Sequence, residues 1–150
     1  MPTGNDLTRL RLADQLCFAL YATSHAFTKA YKKLLDPLGL TYPQYLVMLV
    51  LWEEDALTVK EIGNRLQLDS GTLTPLLKRL DGAGLVTRTR DPGDERQVRV
   101  SLTEVGRSLK SRAETIPLQL GSAIGAPLCD IVALRDQLKD VREKLLAAAE

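Results

Sequence analysis

The chain has 150 residues, a length that suits one domain with a core of ordinary size. Hydrophobic residues make up 45% and charged residues 26%, which is ordinary for a soluble globular protein, and the low aromatic content of 5% favours helices packed on helices. The net charge of +1 does not indicate a nucleic-acid binder, so any contact with DNA has to come from locally placed Arg and Lys side chains.

Residue counts and spacing argue against several kinds of site. The two cysteines, Cys17 and Cys129, form neither a zinc-ligand pattern nor a C-x-x-C motif, and with one histidine we expect no metal. No glycine-rich phosphate loop appears, so no cofactor is expected. The start MPTGND lacks signal-peptide features, and no apolar run reaches the roughly 18 residues of a membrane span. We therefore expect a cytoplasmic protein without a membrane partner, in which a disulfide would be transient or regulatory.

Residues 6–36 are predicted to form one long helix or two nearly continuous ones, with Asp6 able to cap the start and Pro37 and Gly39 ending it. One stripe of this helix consists of Leu10, Ala13, Cys17, Leu20, Tyr21, Ser24, Phe27, Tyr31 and Leu34. A helix of about 30 residues would be some 45 Å long, which is more than a monomer of this size easily covers. The excess apolar face suggests burial against a second subunit. Taken alone, Cys17 is more simply interpreted as a small core residue.

The next helix is predicted to open near Thr41 or Tyr42 and to end at residues 53–55. Its inner face is assigned to Tyr45, Leu46, Leu49 and Trp52.

Two helices joined by a tight turn are predicted after this. Thr58 and Glu61 form a capping box for the first, and Asp69 or Ser70 can cap the second. This is a helix-turn-helix outline, although such hairpins also occur in proteins that never touch DNA. Pro75 fits either the first helical position or the helix interior, where it costs a backbone hydrogen bond.

A β-hairpin is predicted directly after the second helix, with strands over residues 85–90 and 97–102 and a turn over residues 91–95. The hairpin carries Arg88, Arg90, Arg96 and Arg99. A helix-turn-helix followed by an arginine-bearing hairpin is a winged helix, which indicates DNA binding. The alternative is a solvated surface ribbon whose arginines balance the acidic residues of the turn.

The C-terminal part is predicted to be helical. Thr103 caps a helix whose apolar face is assigned to Val105, Leu109, Ala113 and Ile116, and Pro117 interrupts or bends it. Residues 121–127 are expected to form a joint, after which a last helix starts near Pro127. Its heptad-like seam consists of Ile131, Leu134, Leu138, Val141 and Leu145, and Cys129 lies in its first turn.

This arrangement predicts one mainly α domain over residues 1–150 with a small β-hairpin wing. Residues 40–102 would form the winged helix-turn-helix, and residues 6–36 and 104–150 the dimerisation helices.

Several motifs resemble the MarR family of winged-helix repressors: residues 69–80 (DSGTLTPLLKRL), 84–86 (GLV), 91–96 (DPGDER) and 102–106 (LTEVG). Cys17, together with Tyr31 and residues 41–45 (TYPQY), resembles the organic-hydroperoxide-sensing branch of that family, the OhrR-type regulators. The match covers roughly residues 7–116, and Cys129 fits the two-cysteine subgroup.

The resemblance implies a homodimer that acts as a redox-sensing repressor and is not an enzyme. Cys17 would be the residue that organic hydroperoxide oxidises, and tyrosines at the positions of Tyr31 and Tyr42 would donate hydrogen bonds to its thiolate. Tyr31 lies about 21 Å along the helix from Cys17, so the two can meet only across a dimer. An intersubunit disulfide with Cys129 would follow, and the dimer would release its pseudo-palindromic operator.

The resemblance also implies a DNA-contacting surface. The outer face of the second helix would enter the major groove with Ser70, Thr72, Thr74, Lys78 and Arg79. Arg96 would reach the minor groove, oriented by Asp94, and Arg88 would contact phosphate.

Three other readings compete with the redox-sensing repressor. A repressor of the same family could instead be released by a small phenolic or lipophilic acid bound at the dimer interface. A thiol peroxidase using Cys17 would lack the Thr or Arg partner expected beside its cysteine. A purely structural helical dimer would leave the wing arginines unexplained.

Overall fold

The computed structural model describes residues 9–150, so the predicted cap Asp6 lies outside the described residues. Over these residues the α-helices are α1 (Leu16–Leu35), α2 (Tyr42–Glu53), α3 (Val59–Leu66), α4 (Ser70–Gly82), α5 (Glu104–Ala113), α6 (Ile116–Ile124) and α7 (Leu128–Ala148). The strands are β1 (Leu57–Thr58), β2 (Val86–Arg90) and β3 (Val98–Leu102). The predicted fold class, mainly helical with a β-hairpin wing, is confirmed.

The chain forms two compact units, Met1–Glu114 and Thr115–Glu150. The first holds α1 to α5 and the three strands in its described part, and the second holds α6 and α7. Helix α5, which the sequence grouped with the dimerisation helices, packs against α2 and β3 within the first unit. Over residues 9–150, no single helix combines the length and apolarity needed to cross a bilayer.

Helix α1 starts later than predicted. A short 3₁₀ helix spans Leu12–Asp14, and Gln15 has an extended backbone with φ −91° and ψ 124°. The Gln15 side-chain amide donates to the carbonyl oxygens of Arg9 at 2.7 Å and Arg11 at 3.2 Å. Over the described residues the prediction of one uninterrupted helix is therefore wrong, because the backbone is extended at Gln15. The short 3₁₀ helix followed by the 20 residues of α1 is nearer to the predicted alternative of two nearly continuous helices.

Much of the predicted apolar stripe is exposed in one protomer. Within that stripe Leu20 is 37% and Tyr21 62% exposed, and the buried residue of α1 is Leu35, which lies outside the stripe. Helix α1 ends where predicted, in a short 3₁₀ helix (Asp36–Leu38) followed by Gly39, whose φ of 71° favours glycine.

Helix α2 is the central helix of the first unit. Thr41 and Gln44 form a reciprocal capping box, so the predicted start is confirmed. Because α2 packs against α1, α3, α4 and α5, it is buried on more than one face. Its buried residues are Gln44, Tyr45, Val47, Met48, Val50 and Leu51. Of the predicted inner face, Tyr45 is fully buried, whereas Leu46, Leu49 and Trp52 are half-buried.

The helix-turn-helix forms as predicted. Thr58 and Glu61 make the capping box of α3, and the Asp69 side chain accepts from the Thr72 backbone N–H at 2.7 Å to cap α4. Pro75 lies inside α4, so the second of its two predicted positions is correct, and one backbone hydrogen bond of the helix is missing there.

The sheet has the antiparallel order β1-β3-β2, and the two wing strands pair from Val86 with Leu102 to Arg90 with Val98. Strand β1 was not predicted. The Asp55 carboxylate accepts from the Ala56 N–H at 2.7 Å and the Leu102 N–H at 2.8 Å, which ties the start of β1 to the end of β3. Two residues are too few for an alternating pattern to appear in the sequence.

The C-terminal helices differ from the prediction in detail. Thr103 caps α5 as expected. Two residues of the predicted apolar face of this helix are wrong, because Val105 is 63% exposed and Ile116 belongs to α6. Pro117 lies in the first turn of α6, where its missing N–H costs little. The joint is shorter than residues 121–127, because α6 continues to Ile124.

Replacing Gly106 is expected to destabilise the fold. A Cβ built on Gly106 would overlap the backbone carbonyl of Leu85, which has little freedom to move. Gly106→Ala should lower the free energy of unfolding by about 2–3 kcal/mol, measured by chemical denaturation at fixed protein concentration. Gly82→Ala is the matched control, because nothing lies within 4 Å of its added Cβ, and a gain of up to about 1 kcal/mol is expected. Equal stabilities of the two variants would contradict this packing.

Candidate functional site

Helix α4 presents a polar face outward because its apolar residues point into the core. Its buried side chains are Leu73, Leu76, Leu77 and Leu80. Of the predicted DNA-contacting residues on this helix, Ser70, Thr72, Lys78 and Arg79 are exposed and Thr74 is half-buried. The helix therefore offers hydroxyl groups near its N-terminus and two cations near its C-terminus.

The wing tip holds Arg96 away from the body of the protein. The Asp94 carboxylate oxygen Oδ1 accepts from the Arg96 backbone N–H at 3.1 Å and from its side-chain Nε at 3.2 Å. The Arg96 side chain is nevertheless 90% exposed. Asp94 thus sets the direction of a guanidinium that remains available to a partner.

Asp91 braces the base of the wing turn. Its carboxylate accepts from the Gly93 N–H at 2.9 Å and from Arg99 Nη2 at 2.8 Å. The Gly93 hydrogen bond and the Arg99 guanidinium lower the pKa of Asp91. Arg99 also donates to the carbonyl of Ala56, which has a left-handed φ of 58°. Arg99 is therefore part of the wing's own framework.

Arg88 lies on β2 and is engaged within the protein. Its Nε is 3.0 Å from Asp81 Oδ2 on α4, and its side chain is half-buried. Arg88 is thus paired with an acid of α4 rather than with an acid of the wing turn, whereas Arg99, paired with Asp91, is balanced as the surface-ribbon alternative expected. A phosphate contact by Arg88 stays a prediction.

A cleft of about 550 Å³ lies between the helix-turn-helix and the wing. Its lining includes Lys60, Asn64, Ser70, Thr74, Arg96 and Gln97. Lys60, Asn64 and Gln97 were not predicted as site residues, because the cleft forms only when the wing lies beside α3. Polar side chains on the outward side of α3 were the available signal.

Three tyrosines meet where α1 packs on α2. The rings of Tyr31 and Tyr42 stack with centroids 4.5 Å apart and planes at 28°, and Tyr45 lies 5.6 Å from Tyr31. Burial, followed by the proximity of Tyr42 and Tyr45, raises the pKa of Tyr31 to about 12. Burial also raises the pKa of Tyr42, and burial together with Tyr42 raises that of Tyr45. These hydroxyls therefore stay protonated near neutral pH and can donate hydrogen bonds.

The two cysteines are free and exposed. Cys17 lies in the first turn of α1, and Tyr31 follows fourteen residues later on the same unbroken helix, about 21 Å along its axis. The protomer therefore brings the predicted tyrosines together but keeps its own cysteine far from them. Cys129 lies in the first turn of α7, as predicted, with its sulfur 3.8 Å from Asp130 Oδ1.

A capped helix-turn-helix with a polar outer face, followed by a hairpin that presents an arginine across a shared cleft, defines a winged-helix protein. This is a fold used by DNA-binding regulators.

Comparison with known proteins narrows the class of winged-helix protein to which the chain belongs. Residues 29–113 match the family model described as transcriptional regulator SarA/Rot. The chain is 56% identical over 147 residues to the HTH-type transcriptional regulator TtmR of Methylorubrum extorquens (strain PA1), covering 98% of this chain and 75% of that protein. It is 57% identical over 113 residues to the organic hydroperoxide resistance transcriptional regulator of Bacillus subtilis (strain 168), covering 75% and 77%.

Solved structures of AbfR, a Staphylococcus epidermidis protein, resemble the chain closely. Reduced AbfR bound to DNA matches with a TM-score of 0.82 and 37% identity, covering 94% of this chain and 96% of AbfR. AbfR with its disulfide formed matches with a TM-score of 0.63 and 41% identity, covering 88% and 93%.

The chain belongs to the SarA/Rot family of MarR-like winged-helix transcriptional regulators. The resemblance to the organic-hydroperoxide-sensing branch, which rested on Cys17, Tyr31 and residues 41–45, is confirmed by the Bacillus subtilis relative. The relatives compared here are transcriptional regulators, not enzymes.

The tyrosine cluster makes a testable prediction about pH. The absorbance of tyrosinate is measured against pH for wild type and for Tyr31→Phe. The difference between the two curves reports Tyr31, and its midpoint should lie at about pH 12 rather than 10. Since the folded-state pKa is raised above its unfolded value, the associated stability is complete below pH 10 and is lost as pH rises from 10 toward 12. Urea-unfolded wild type is the control and should titrate near 10. A midpoint that is the same in both states would contradict the buried stack.

Proposed function

We propose that the protein is a repressor that binds a pseudo-palindromic operator as a homodimer and releases it when an organic hydroperoxide oxidises Cys17. The observation that carries this proposal is the separation of Cys17 from the stacked pair Tyr31 and Tyr42. The hydrogen-bond donors are assembled in one protomer, and the exposed cysteine lies about 21 Å away on the same helix. A second subunit whose α1 crosses the first would complete the site.

The exposed apolar faces support a dimer. Leu16, Leu20 and Tyr21, which lie on one side of α1, are exposed in the protomer. The seam of α7 exposes Leu134, Leu138 and Leu145. Apolar stripes of this length on two helices are typical of subunit interfaces. We therefore assign residues 6–36 and the C-terminal helices to dimerisation and residues 40–102 to DNA binding.

The chemistry at Cys17 follows the thiol oxidation sequence. The thiolate sulfur attacks the terminal peroxide oxygen, the O–O bond breaks, and the alkoxide leaves and takes up a proton to become an alcohol. Cys17 is then a sulfenic acid. The thiol of Cys129 of the partner subunit attacks the Cys17 sulfur, an S–S bond forms, and the sulfenic oxygen leaves as water with the thiol proton.

Oxidation would lower operator affinity through movement of the dimer helices. The hydroxyls of Tyr31 and Tyr42 stabilise a thiolate, and they lose that partner when the sulfur gains an oxygen. A disulfide requires Cα atoms within about 7 Å, so its formation constrains where α1 and α7 lie. The α4 helices of the two subunits would act as recognition helices and must be spaced by about one turn of DNA, about 34 Å. Any change in that spacing weakens binding.

The geometry of the first unit suits operator recognition. Ser70, Thr72 and Thr74 stand at the start of α4, where a major groove would admit them, and Lys78 and Arg79 extend the same helix. Arg96 on the wing, held by Asp94, has the reach for a minor groove. AbfR, which superposes on this chain, has been solved bound to DNA.

Arg96→Ala is expected to weaken binding of the reduced protein to an operator fragment recovered by selection from random duplex DNA. If Arg96 reaches phosphate or the minor groove, affinity should fall about tenfold and the slope of log affinity against log salt should decrease in magnitude by about one. Lys144→Ala removes the same charge from the far end of α7 and should leave both values unchanged. Unaltered binding of Arg96→Ala at matched salt would remove the wing from the interface.

The redox mechanism is tested by treating wild type, Cys17→Ser and Cys129→Ser with cumene hydroperoxide. We expect a covalent dimer on a non-reducing gel for wild type alone, because the disulfide requires both sulfurs. Operator release, measured by fluorescence anisotropy, should require Cys17.

The same experiment separates the competing readings. A Cys17→Ser dimer that still releases DNA on treatment with hydroperoxide would overturn the proposal. Release of that variant by a phenolic acid would favour the ligand-binding alternative. Catalytic consumption of hydroperoxide with a thiol reductant would favour the peroxidase.

A further inference from the structure

We propose that Trp52 is a positioning residue that couples the stacked tyrosines to the wing, so that oxidation of the sensor changes operator affinity through it. This inference rests on the proposed function, because it concerns how a change at the tyrosines reaches the DNA-binding surface. Trp52 takes part neither in the sensor chemistry nor in the proposed DNA contacts.

A continuous row of aromatic rings runs from the tyrosine pair to Trp52. Tyr42 stacks on Tyr31 at 4.5 Å, Tyr31 meets Tyr45 at 5.6 Å, and Tyr45 meets the edge of Trp52 at 6.5 Å with planes at 68°. Tyr45 is only 2% exposed. Rings at these distances in a close-packed interior leave little free space, so a displacement of Tyr31 or Tyr42 is felt by Tyr45 and then by Trp52.

Trp52, on α2, connects the row of rings to α5. Its indole Nε1 donates to the backbone carbonyl of Gly106 at 2.9 Å, a bond between residues 54 positions apart. Gly106 lies in the first turn of α5 and donates its own N–H to the Thr103 hydroxyl at 3.1 Å. The indole therefore holds the end of α5 that adjoins the wing.

The junction between α5 and the wing is tightly packed. A side chain on Gly106 would overlap the carbonyl of Leu85, the residue immediately before β2. That same carbonyl accepts from the Thr103 N–H at 3.0 Å, and the Thr103 hydroxyl donates to the carbonyl of Gly84 at 2.6 Å. Since β2 begins at Val86, a shift of Gly106 is passed directly to the root of the hairpin that carries Arg96.

The test distinguishes two roles for this half-buried indole: completing the core, or coupling the tyrosines to the wing as well. The two roles differ in what they change. A core residue alters stability and leaves the ratio of operator affinities in the reduced and oxidised states unchanged, whereas a coupling residue alters that ratio.

The test uses the full-length homodimer with Trp52→Phe, which keeps an aromatic ring beside Tyr45 and removes the N–H donor. Dissociation constants for the selected operator fragment are measured before and after cumene hydroperoxide, and the rate of Cys17 oxidation is followed by thiol titration. We expect reduced-state affinity within about twofold of wild type, an unchanged oxidation rate, and a ratio of oxidised to reduced dissociation constants that falls by about fivefold or more.

A second variant keeps the shape of the side chain if Trp52→Phe fails to fold. The chain has a single tryptophan, so growth on benzothienylalanine replaces the indole N–H at that position alone. The same fall in the ratio is expected.

Arg112→Gln is the matched control, because Arg112 also ties α5 to the body of the first unit, through a 2.9 Å bond to the carbonyl of Pro37. It should leave the ratio unchanged. An unaltered ratio with either Trp52 change, or an equal fall with Arg112→Gln, would overturn the inference. Wild type that keeps its operator after oxidation would instead overturn the proposed function, so the two failures are distinguishable.

Discussion

The length and rigidity of α1 constrain everything proposed for this protein. Cys17 and Tyr31 lie on one uninterrupted helix, about 21 Å apart along its axis, and no side-chain rotation can bring them together. The tyrosine hydroxyls that can donate hydrogen bonds to a thiolate therefore lie together at one end of α1, and the Cys17 sulfur lies near its other end. Under the proposed function, the response to oxidant therefore depends on how the α1 helices of two subunits cross.

The packing of the first unit connects the tyrosines to the wing. Helix α2 is surrounded by α1, α3, α4 and α5, so the tyrosines and the recognition helix share one core. At the other side of that core, Gly106 presses against the carbonyl before the wing, and Asp55 ties the end of β3 to the start of β1. The wing is thus attached through short backbone contacts, which transmit displacement better than flexible side chains do.

Local signals in the sequence predicted much of this structure. The caps at Thr58 and Thr103 are confirmed, and one of the two residues predicted at each of the other helix starts, Thr41 and Asp69, is the cap. Caps can be predicted because they depend on residues within three positions. The alternation along residues 97–102 predicted β3, and the turn residues predicted the wing tip. The outward placement of Lys78 and Arg79 followed from the apolar period of α4. The break at Gln15 escaped prediction, since it depends on one side chain bonding two backbone carbonyls.

The sequence by itself determined the family, the winged helix and the separation of Cys17 from Tyr31, because these depend on motifs, periodicity and the fixed rise of a helix. Only the tertiary structure decided which residues meet across the fold. It paired Arg88 with Asp81, stacked Tyr31 on Tyr42, added β1 beside β3 and joined Trp52 to Gly106. These four contacts depend on packing between elements that are far apart in the sequence. The pattern of residues along one element does not indicate which residue of another element will contact it.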